Sequence, residues 1–112
     1  MSLPKKSPIT THLLNTSTGK PASNINVSLY FLDEKTWTLL GKGVSNADGR
    51  VSDLLPTDHV LKKGQYKINF DVSTVSTFYP EASITFNIAN TNEHYHIPLL
   101  ISGYGFSTYR GS

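Results

Sequence analysis

The chain has 112 residues, enough for one domain with one hydrophobic core. It contains no cysteine, which excludes disulfide bonds and thiolate metal sites. Its net charge of +2 comes from scattered lysines rather than from a basic stripe interleaved with aromatic residues, so a nucleic-acid partner is not indicated. We therefore expect a single domain over residues 1–112.

The N-terminal segment carries charge but no apolar stretch with a cleavage site behind it, so no signal peptide is predicted. We expect residues 1–7 to be flexible. No apolar run approaches the length of a membrane span. The sequence therefore predicts a soluble protein with no membrane partner, located in the cytoplasm, or in the peroxisome if the source is a eukaryote.

Short β-prone runs separated by turn residues follow one another along the chain. Strands are predicted over residues 9–15, 26–32, 37–44, 50–55, 65–72, 82–88, 94–101 and 104–110. The segment 46–49 is a strong turn, because Asp48 and Gly49 tolerate a left-handed backbone. Residues 73–79 break the alternation and leave room for one short helix. Eight strands with at most one short helix predict an all-β sandwich.

Strand 94–101 has one apolar face and one face that carries histidines. Side chains alternate across a strand, so every second residue shares a face. The apolar face, which we expect to pack on the core, consists of Tyr95, Ile97, Leu99 and Ile101. His94 and His96 then point away from the core, into solvent, a cleft or a subunit interface. His12 lies in the same way on the face of strand 9–15 opposite to Ile9 and Leu13.

The His94-x-His96 spacing also suits a metal site, because imidazoles two residues apart on a strand converge on one side. A zinc site would need a third ligand such as His12 and an acidic partner, for which Glu93 is the only carboxylate nearby in the sequence. A His-based metal-dependent hydrolase is therefore one alternative function. The sequence has neither a Gly-x-Ser-x-Gly nucleophile elbow nor a phosphate-binding glycine loop.

Several segments together resemble the 5-hydroxyisourate hydrolases, the transthyretin-related enzymes of urate degradation. These segments are residues 8–14, 18–22, 48–50, 78–81 and 94–112. The resemblance runs nearly end to end, and the terminal Tyr109-Arg110-Gly111-Ser112 is its most specific element. Transthyretin shares the fold of this family but lacks that ending and the set of histidines and arginine.

The resemblance implies a transthyretin-like (prealbumin-like) sandwich of two four-stranded sheets, assembled as a homotetramer, a dimer of dimers, with sites in a channel between the dimers. It implies hydrolysis of 5-hydroxyisourate to 2-oxo-4-hydroxy-4-carboxy-5-ureidoimidazoline in purine degradation, by His-assisted attack of water on the lactam carbonyl. No cofactor and no metal are implied. A second alternative is a transthyretin-like carrier of small ligands.

The resemblance also implies roles for individual residues. The catalytic set is His12, Arg50, His96 and Ser112, and the substrate-binding set is His12, Arg50, Tyr109 and Arg110. The Arg50 guanidinium would bind substrate carbonyl groups and the developing oxyanion. Tyr109 and Ser112 would orient substrate or water. The sequence leaves open whether His12 or His96 takes the proton.

Overall fold

The computed structural model describes residues 7–111 of the chain. Residues 1–6 lie outside this part, and so does Ser112, for which a site role was predicted. Ser7 is the one described residue of the segment expected to be flexible. It is buried, and its hydroxyl donates to the Ile9 carbonyl and accepts the Leu55 N–H.

Residues 7–111 form nine strands joined by turns and loops. The strands are β1 (Ile9–Asn15), β2 (Lys20–Pro21), β3 (Asn26–Asp33), β4 (Thr36–Val44), β5 (Arg50–Val51), β6 (Gly64–Asp71), β7 (Glu81–Ile88), β8 (Tyr95–Ile101) and β9 (Phe106–Thr108). All eight predicted strands are present, and the added one is the two-residue β2. Within residues 7–111 no helix could cross a membrane.

The segment that left room for a short helix forms turns instead. The N–H groups of Val75 and Ser76 both donate to the Val72 carbonyl, at 2.9 and 2.8 Å, and no helix follows. The β-branched residues in this stretch are weak helix formers, so a single closed turn is the favoured outcome.

The strands form the two layers of a sandwich. One sheet has the order β2-β1-β8-β9, with β5 also paired to β1, and the other has the order β4-β3-β6-β7. The first sheet therefore has five strands rather than the four expected, because β2 adds to it. Its centre is a parallel pair, β1 with β8, whereas every pair of the second sheet is antiparallel.

The core lies between the two sheets. Fully buried side chains of β1 and β8 pack toward those of β3 and β6: Ile9, Leu13, Leu99 and Ile101 on one side, Val27, Leu29, Ile68 and Phe70 on the other. Burying each such side chain contributes about 1.5–3 kcal/mol. The apolar face predicted for β8 is thus confirmed, and the opposite face of the same sheet is left for other groups.

Candidate active site

Residues from separate parts of the chain meet on the outer face of the β1–β8 sheet. In the register of the sheet, Thr10 of β1 pairs with His96 of β8, and His12 of β1 pairs with Arg50 of β5. Residues paired in register share a face of the sheet. Because Ile9 and Leu13 of β1 are buried in the core, Thr10 and His12 stand on the outer face.

A cleft of about 310 Å³ opens on this face. The residues that line it are Thr10, Thr11, Asn46, Arg50, Val51, Ser52, His94 and His96. This volume is at the small end of the roughly 300–1,000 Å³ typical of ligand sites. The lining combines one permanent cation, two imidazoles and several hydroxyl and amide groups, so it can bind and act on a small polar ligand.

The Thr10 hydroxyl joins the two histidines of this cleft. Its Oγ1 lies 2.9 Å from Nε2 of His94 and 2.8 Å from Nδ1 of His96. Thr10 is buried and His96 is half-buried, whereas His94 is exposed, so the contact is partly buried. The two imidazoles, one directly before β8 and one within it, are therefore held by one shared oxygen.

The turn before β5 fixes the backbone of Arg50. The Asn46 Oδ1 accepts the N–H groups of Asp48 at 2.9 Å and of Arg50 at 3.0 Å. Gly49 has φ of 75°, and a Cβ on it would clash with the Leu13 carbonyl oxygen. The predicted turn is thus present, and it positions Arg50 at the edge of the cleft.

His12 is tied to the same turn. Its Nε2 lies 3.0 Å from the carbonyl oxygen of Asp48. A carbonyl can only accept, so Nε2 carries the hydrogen and donates it. In a neutral His12, Nδ1 is then the nitrogen that can accept a proton. His12 lies beside Arg50 in the register but is not among the residues that line the cleft.

The C-terminal segment crosses over His96. The Gly111 N–H donates to the His96 carbonyl at 2.8 Å, and the two residues form an isolated antiparallel bridge. A Cβ on Gly111 would lie 2.5 Å from Cδ2 of the His96 ring. The backbone approaches the imidazole so closely that only glycine fits there.

Arg110 contacts the start of β8. Its guanidinium stacks over the Tyr95 ring at 4.4 Å from the centroid, and its Nη2 lies 3.7 Å from Oε1 of Glu93. Arg110 and Tyr109 line a second cleft, of about 340 Å³, between the β7 edge and the C-terminal segment. His96 also lines this second cleft. Tyr109 and Arg110 are thus adjacent to His96 but outside the first cleft.

The structure brings together only part of the predicted site. Arg50 and His96 share the first cleft, His12 adjoins it, and Tyr109 and Arg110 lie on the other side of His96. Sequence reasoning missed Thr10, whose one signal was that it shares the outward face with His12. Within residues 7–111, no three histidine or carboxylate side chains converge into a group that could hold a metal ion.

Comparison with known proteins agrees with this architecture. The chain matches the family described as "Transthyretin: HIUase/Transthyretin family" over residues 9–111. A 5-hydroxyisourate hydrolase of Salmonella typhimurium is 43% identical to it over 112 aligned positions, covering 93% of this chain and 80% of the relative.

Two solved structures are also similar. The 5-hydroxyisourate hydrolase of Klebsiella pneumoniae superimposes with a TM-score of 0.78 at 34% identity, covering 93% of this chain and 97% of that one. Sea bream transthyretin in complex with thyroxine has a TM-score of 0.83 at 22% identity, covering 93% and 94%, which demonstrates a shared fold alone. From the match over residues 9–111 and the 43% identity, the chain belongs to the HIUase/transthyretin family.

Proposed function

We propose that this chain hydrolyses 5-hydroxyisourate to 2-oxo-4-hydroxy-4-carboxy-5-ureidoimidazoline in urate degradation. Relatives of 34% and 43% identity that bear the name 5-hydroxyisourate hydrolase support the substrate. The observation that carries the proposal is the convergence of Arg50, His94 and His96 on one small polar cleft. The reaction opens the six-membered ring of a flat, oxidised purine by adding water across a lactam C–N bond.

The cleft supplies the two things that this hydrolysis needs. A water must lose a proton as it attacks the carbonyl carbon, and an imidazole as general base contributes roughly 10²–10⁴-fold. Negative charge then develops on the carbonyl oxygen, for which the planar Arg50 guanidinium offers two parallel N–H donors. The proton returns to the ring nitrogen as the C–N bond breaks.

The roles of the other predicted residues form part of the same proposal. His12, which pairs with Arg50 in the register, would bind substrate at the edge of the cleft or take the proton, and its hydrogen bond to Asp48 makes Nδ1 its basic atom. Tyr109 and Arg110 would reach substrate from the side of the second cleft, which His96 shares. Ser112, outside the described residues, would orient substrate or water.

A hydrolase is favoured over a transthyretin-like carrier by the lining of the first cleft. Carriers of hydrophobic ligands need apolar walls, whereas this cleft presents Thr10, Asn46, Arg50, Ser52 and two imidazoles. The likeness to sea bream transthyretin concerns the fold and is compatible with either activity.

We also propose a homotetramer, a dimer of dimers, with the sites in a channel between the dimers. Arg50 is exposed in the single chain, and ligand sites commonly bury 70–90% of a ligand, so a second copy would be needed to close the cleft. Strands β7 and β9 are sheet edges, and the three residues of β9 are exposed and uncharged. Such edges are templates for pairing with another chain.

Ultraviolet monitoring of freshly generated 5-hydroxyisourate, with and without the protein, tests the activity. The substrate decays unaided, so the expected result is a faster loss in proportion to protein concentration, unchanged by a metal chelator. Identical decay curves would overturn the proposed function, and activity that chelator removes and zinc restores would indicate the metal-dependent hydrolase. Sedimentation of the same sample tests the assembly, where a fully active monomer at micromolar concentration would contradict the tetramer.

A further inference from the structure

We propose that Thr10 is a positioning residue that couples the tautomers of His94 and His96, and that the tautomer they share is the one that leaves Nε2 of His96 as the basic nitrogen. This proposal rests on the proposed hydrolase activity, because it assigns His96 the proton of the attacking water. It is carried by the two contacts of the Thr10 hydroxyl and by what a single hydroxyl hydrogen can do.

The geometry leaves the hydroxyl between two ring nitrogens of different kinds. Thr10 Oγ1 faces Nε2 of His94 at 2.9 Å but Nδ1 of His96 at 2.8 Å. The backbone of Thr10 is fixed by its parallel pairing with His96 and by the buried neighbours Ile9 and Thr11. With the backbone held, the oxygen leaves the two rings only if the Thr10 side chain rotates about its Cα–Cβ bond, which breaks both contacts at once.

A threonine hydroxyl has one hydrogen to donate. If it donates to Nε2 of His94, that ring carries its hydrogen on Nδ1, and His96 must offer Nδ1–H to the Thr10 oxygen. If it donates to Nδ1 of His96, both rings carry their hydrogens on Nε2. Satisfying both contacts with neutral rings thus requires the two histidines to share a tautomer.

Only the first of these arrangements leaves His96 able to act as a base. In it, Nδ1 of His96 holds the hydrogen and Nε2 has the lone pair. In the second arrangement the lone pair of His96 is on Nδ1, where it already accepts the Thr10 hydrogen. When Nε2 takes a proton from water, Nδ1–H stays on the Thr10 oxygen, and the proton leaves again to the departing ring nitrogen. Thr10 and His94 neither gain nor lose a proton.

The C-terminal segment adds a second constraint on the same ring. Gly111 lies against Cδ2 of His96, the carbon bonded to Nε2, while Thr10 holds the opposite nitrogen. The imidazole is therefore held from two sides. A base whose partner fixes its tautomer and orientation is the arrangement that hydrolytic triads use.

Nitrogen NMR of the imidazoles in the full-length protein tests whether His94 and His96 share a tautomer, and it needs no activity assay. The expected result is that, at a pH where both rings are uncharged, His94 and His96 of the wild-type protein both carry their hydrogen on Nδ1. A different tautomer in each ring, or Nε2–H in both, would overturn the proposal whatever the activity. Because this measurement uses the wild type, it does not depend on any variant folding.

Three variants test the consequence for catalysis. Thr10→Val keeps the shape and removes the hydroxyl, so kcat should fall roughly 10- to 100-fold with little change in KM, as expected when a base loses its orientation. Thr10→Ser keeps the hydroxyl and should restore most of kcat. Thr16→Val, which loses a hydroxyl bond to the Ile101 carbonyl in the same sheet, is the matched control and should be silent.

The outcomes separate this proposal from the function on which it rests. Full activity in Thr10→Val, or equal losses in Thr10→Val and Thr10→Ser, would overturn the positioning role. A wild-type protein that does not accelerate loss of 5-hydroxyisourate would overturn the hydrolase and with it the catalytic use of the coupling. In that case a shared tautomer would still support the hydrogen-bond geometry.

Discussion

The two clefts on either side of His96 differ in chemistry although they share this residue. The first lies on the outer face of the β1–β8 sheet and is lined by hydroxyls, an amide, Arg50 and imidazoles. The second lies at the open edge of the sandwich and has apolar walls from Ile84, Phe86 and Ile97. The polar cleft has the groups that a hydrolysis needs, whereas the apolar one has the character of a surface that another chain or a ligand ring covers.

The difference in polarity follows from the position of each cleft in the sandwich. Outward-facing positions of a sheet tolerate polar side chains, so a polar site can be built there without weakening the core. At the open edge, inward-facing residues of both sheets come to the surface, because there is no further strand to cover them. His96 connects the two environments because its strand, β8, is central in the sheet while the C-terminal segment passes over it.

The largest expected effect concerns the histidine that lines both clefts. His96→Asn should lower kcat roughly 10²–10⁴-fold, because an amide cannot take up a proton at neutral pH. His94→Asn should cost less, since His94 acts through Thr10 and not on water. Steady-state rates on freshly generated 5-hydroxyisourate measure both. Equal and complete losses, with zinc raising the wild-type rate, would favour a metal site.

The next effect separates the two arginines. Arg50→Lys should lose roughly 10²–10³-fold in activity, because an ammonium cannot reproduce the two parallel donors at the oxyanion. Arg50 is exposed, so thermal unfolding should change little. Arg110→Lys, in the apolar cleft, should lose less. If the two losses are equal, substrate spans both clefts, as the predicted substrate-binding set implied.

A smaller effect tests the close approach of the C-terminal segment to His96. Gly111→Ala puts a Cβ against the ring, so the imidazole must shift, and a displacement of about 1 Å at a catalytic group can cost up to ~10²-fold. Gly103→Ala is the matched control, because a Cβ there would meet no atom within 4 Å. Near-normal kcat in Gly111→Ala would mean that His96 does not need this orientation.

The smallest expected effect is on stability and concerns Asp71, which lies outside both clefts. Hydrogen bonds from the Ser73 side chain and backbone lower the pKa of Asp71 from its usual 3.8. A carboxyl with a lowered folded-state pKa stabilises the fold above its unfolded pKa, and this is lost as pH falls through the folded value. Asp71→Asn should therefore cost no more than about 1 kcal/mol at pH 7, because the group is exposed.

Unfolding at neutral and at low pH is the check on that variant. Denaturant unfolding of wild type and Asp71→Asn should differ slightly at pH 7 and converge as the pH falls through the lowered folded-state pKa of Asp71, with kcat unaffected. A difference that persists at low pH would mean that the amide changes the turn rather than the charge.

Local patterns in the sequence were sufficient to predict faces and turns. Alternation gave β1 and β8 their buried and outward sides, and Asp48-Gly49 predicted the turn that holds Arg50. Alternation is a property of neighbouring residues, so it needs no knowledge of the partner strand. This is why the outward orientation of His12 and His96 could be predicted.

Strand lengths and pairing partners could not be predicted in this way. The strand predicted over 50–55 ends at Val51, because Leu54 and Leu55 turn into the core. The strand predicted over 104–110 is limited to Phe106–Thr108, since Ser102 N–H bonds to the Gly105 carbonyl and closes a turn before it. The end of β5 therefore depends on tertiary packing, whereas the start of β9 depends on a local hydrogen bond that alternation alone does not reveal.

The position of Thr10 between two histidines depends on register. Thr10 and His96 are neighbours because β1 and β8 pair in parallel over seven residue pairs. Their sequence separation is 86 residues, and no local pattern specifies which residue of one strand lies beside which residue of the other. The link between the histidines is thus a product of the fold.

The parallel pairing of β1 with β8 also has a consequence for the order of folding. The antiparallel sheet contains two sequence-local pairs, β3 with β4 and β6 with β7, whereas the centre of the other sheet joins opposite ends of the chain. Closing a long loop costs conformational entropy before any contact between its ends stabilises the chain, so strands that are far apart in the sequence pair late. During synthesis, Ile9–Asn15 emerges before Tyr95–Ile101 and must wait for it. Pulsed hydrogen exchange should find β3 and β6 amides protected before those of β1, so that the last step of folding is also the one that creates the cleft.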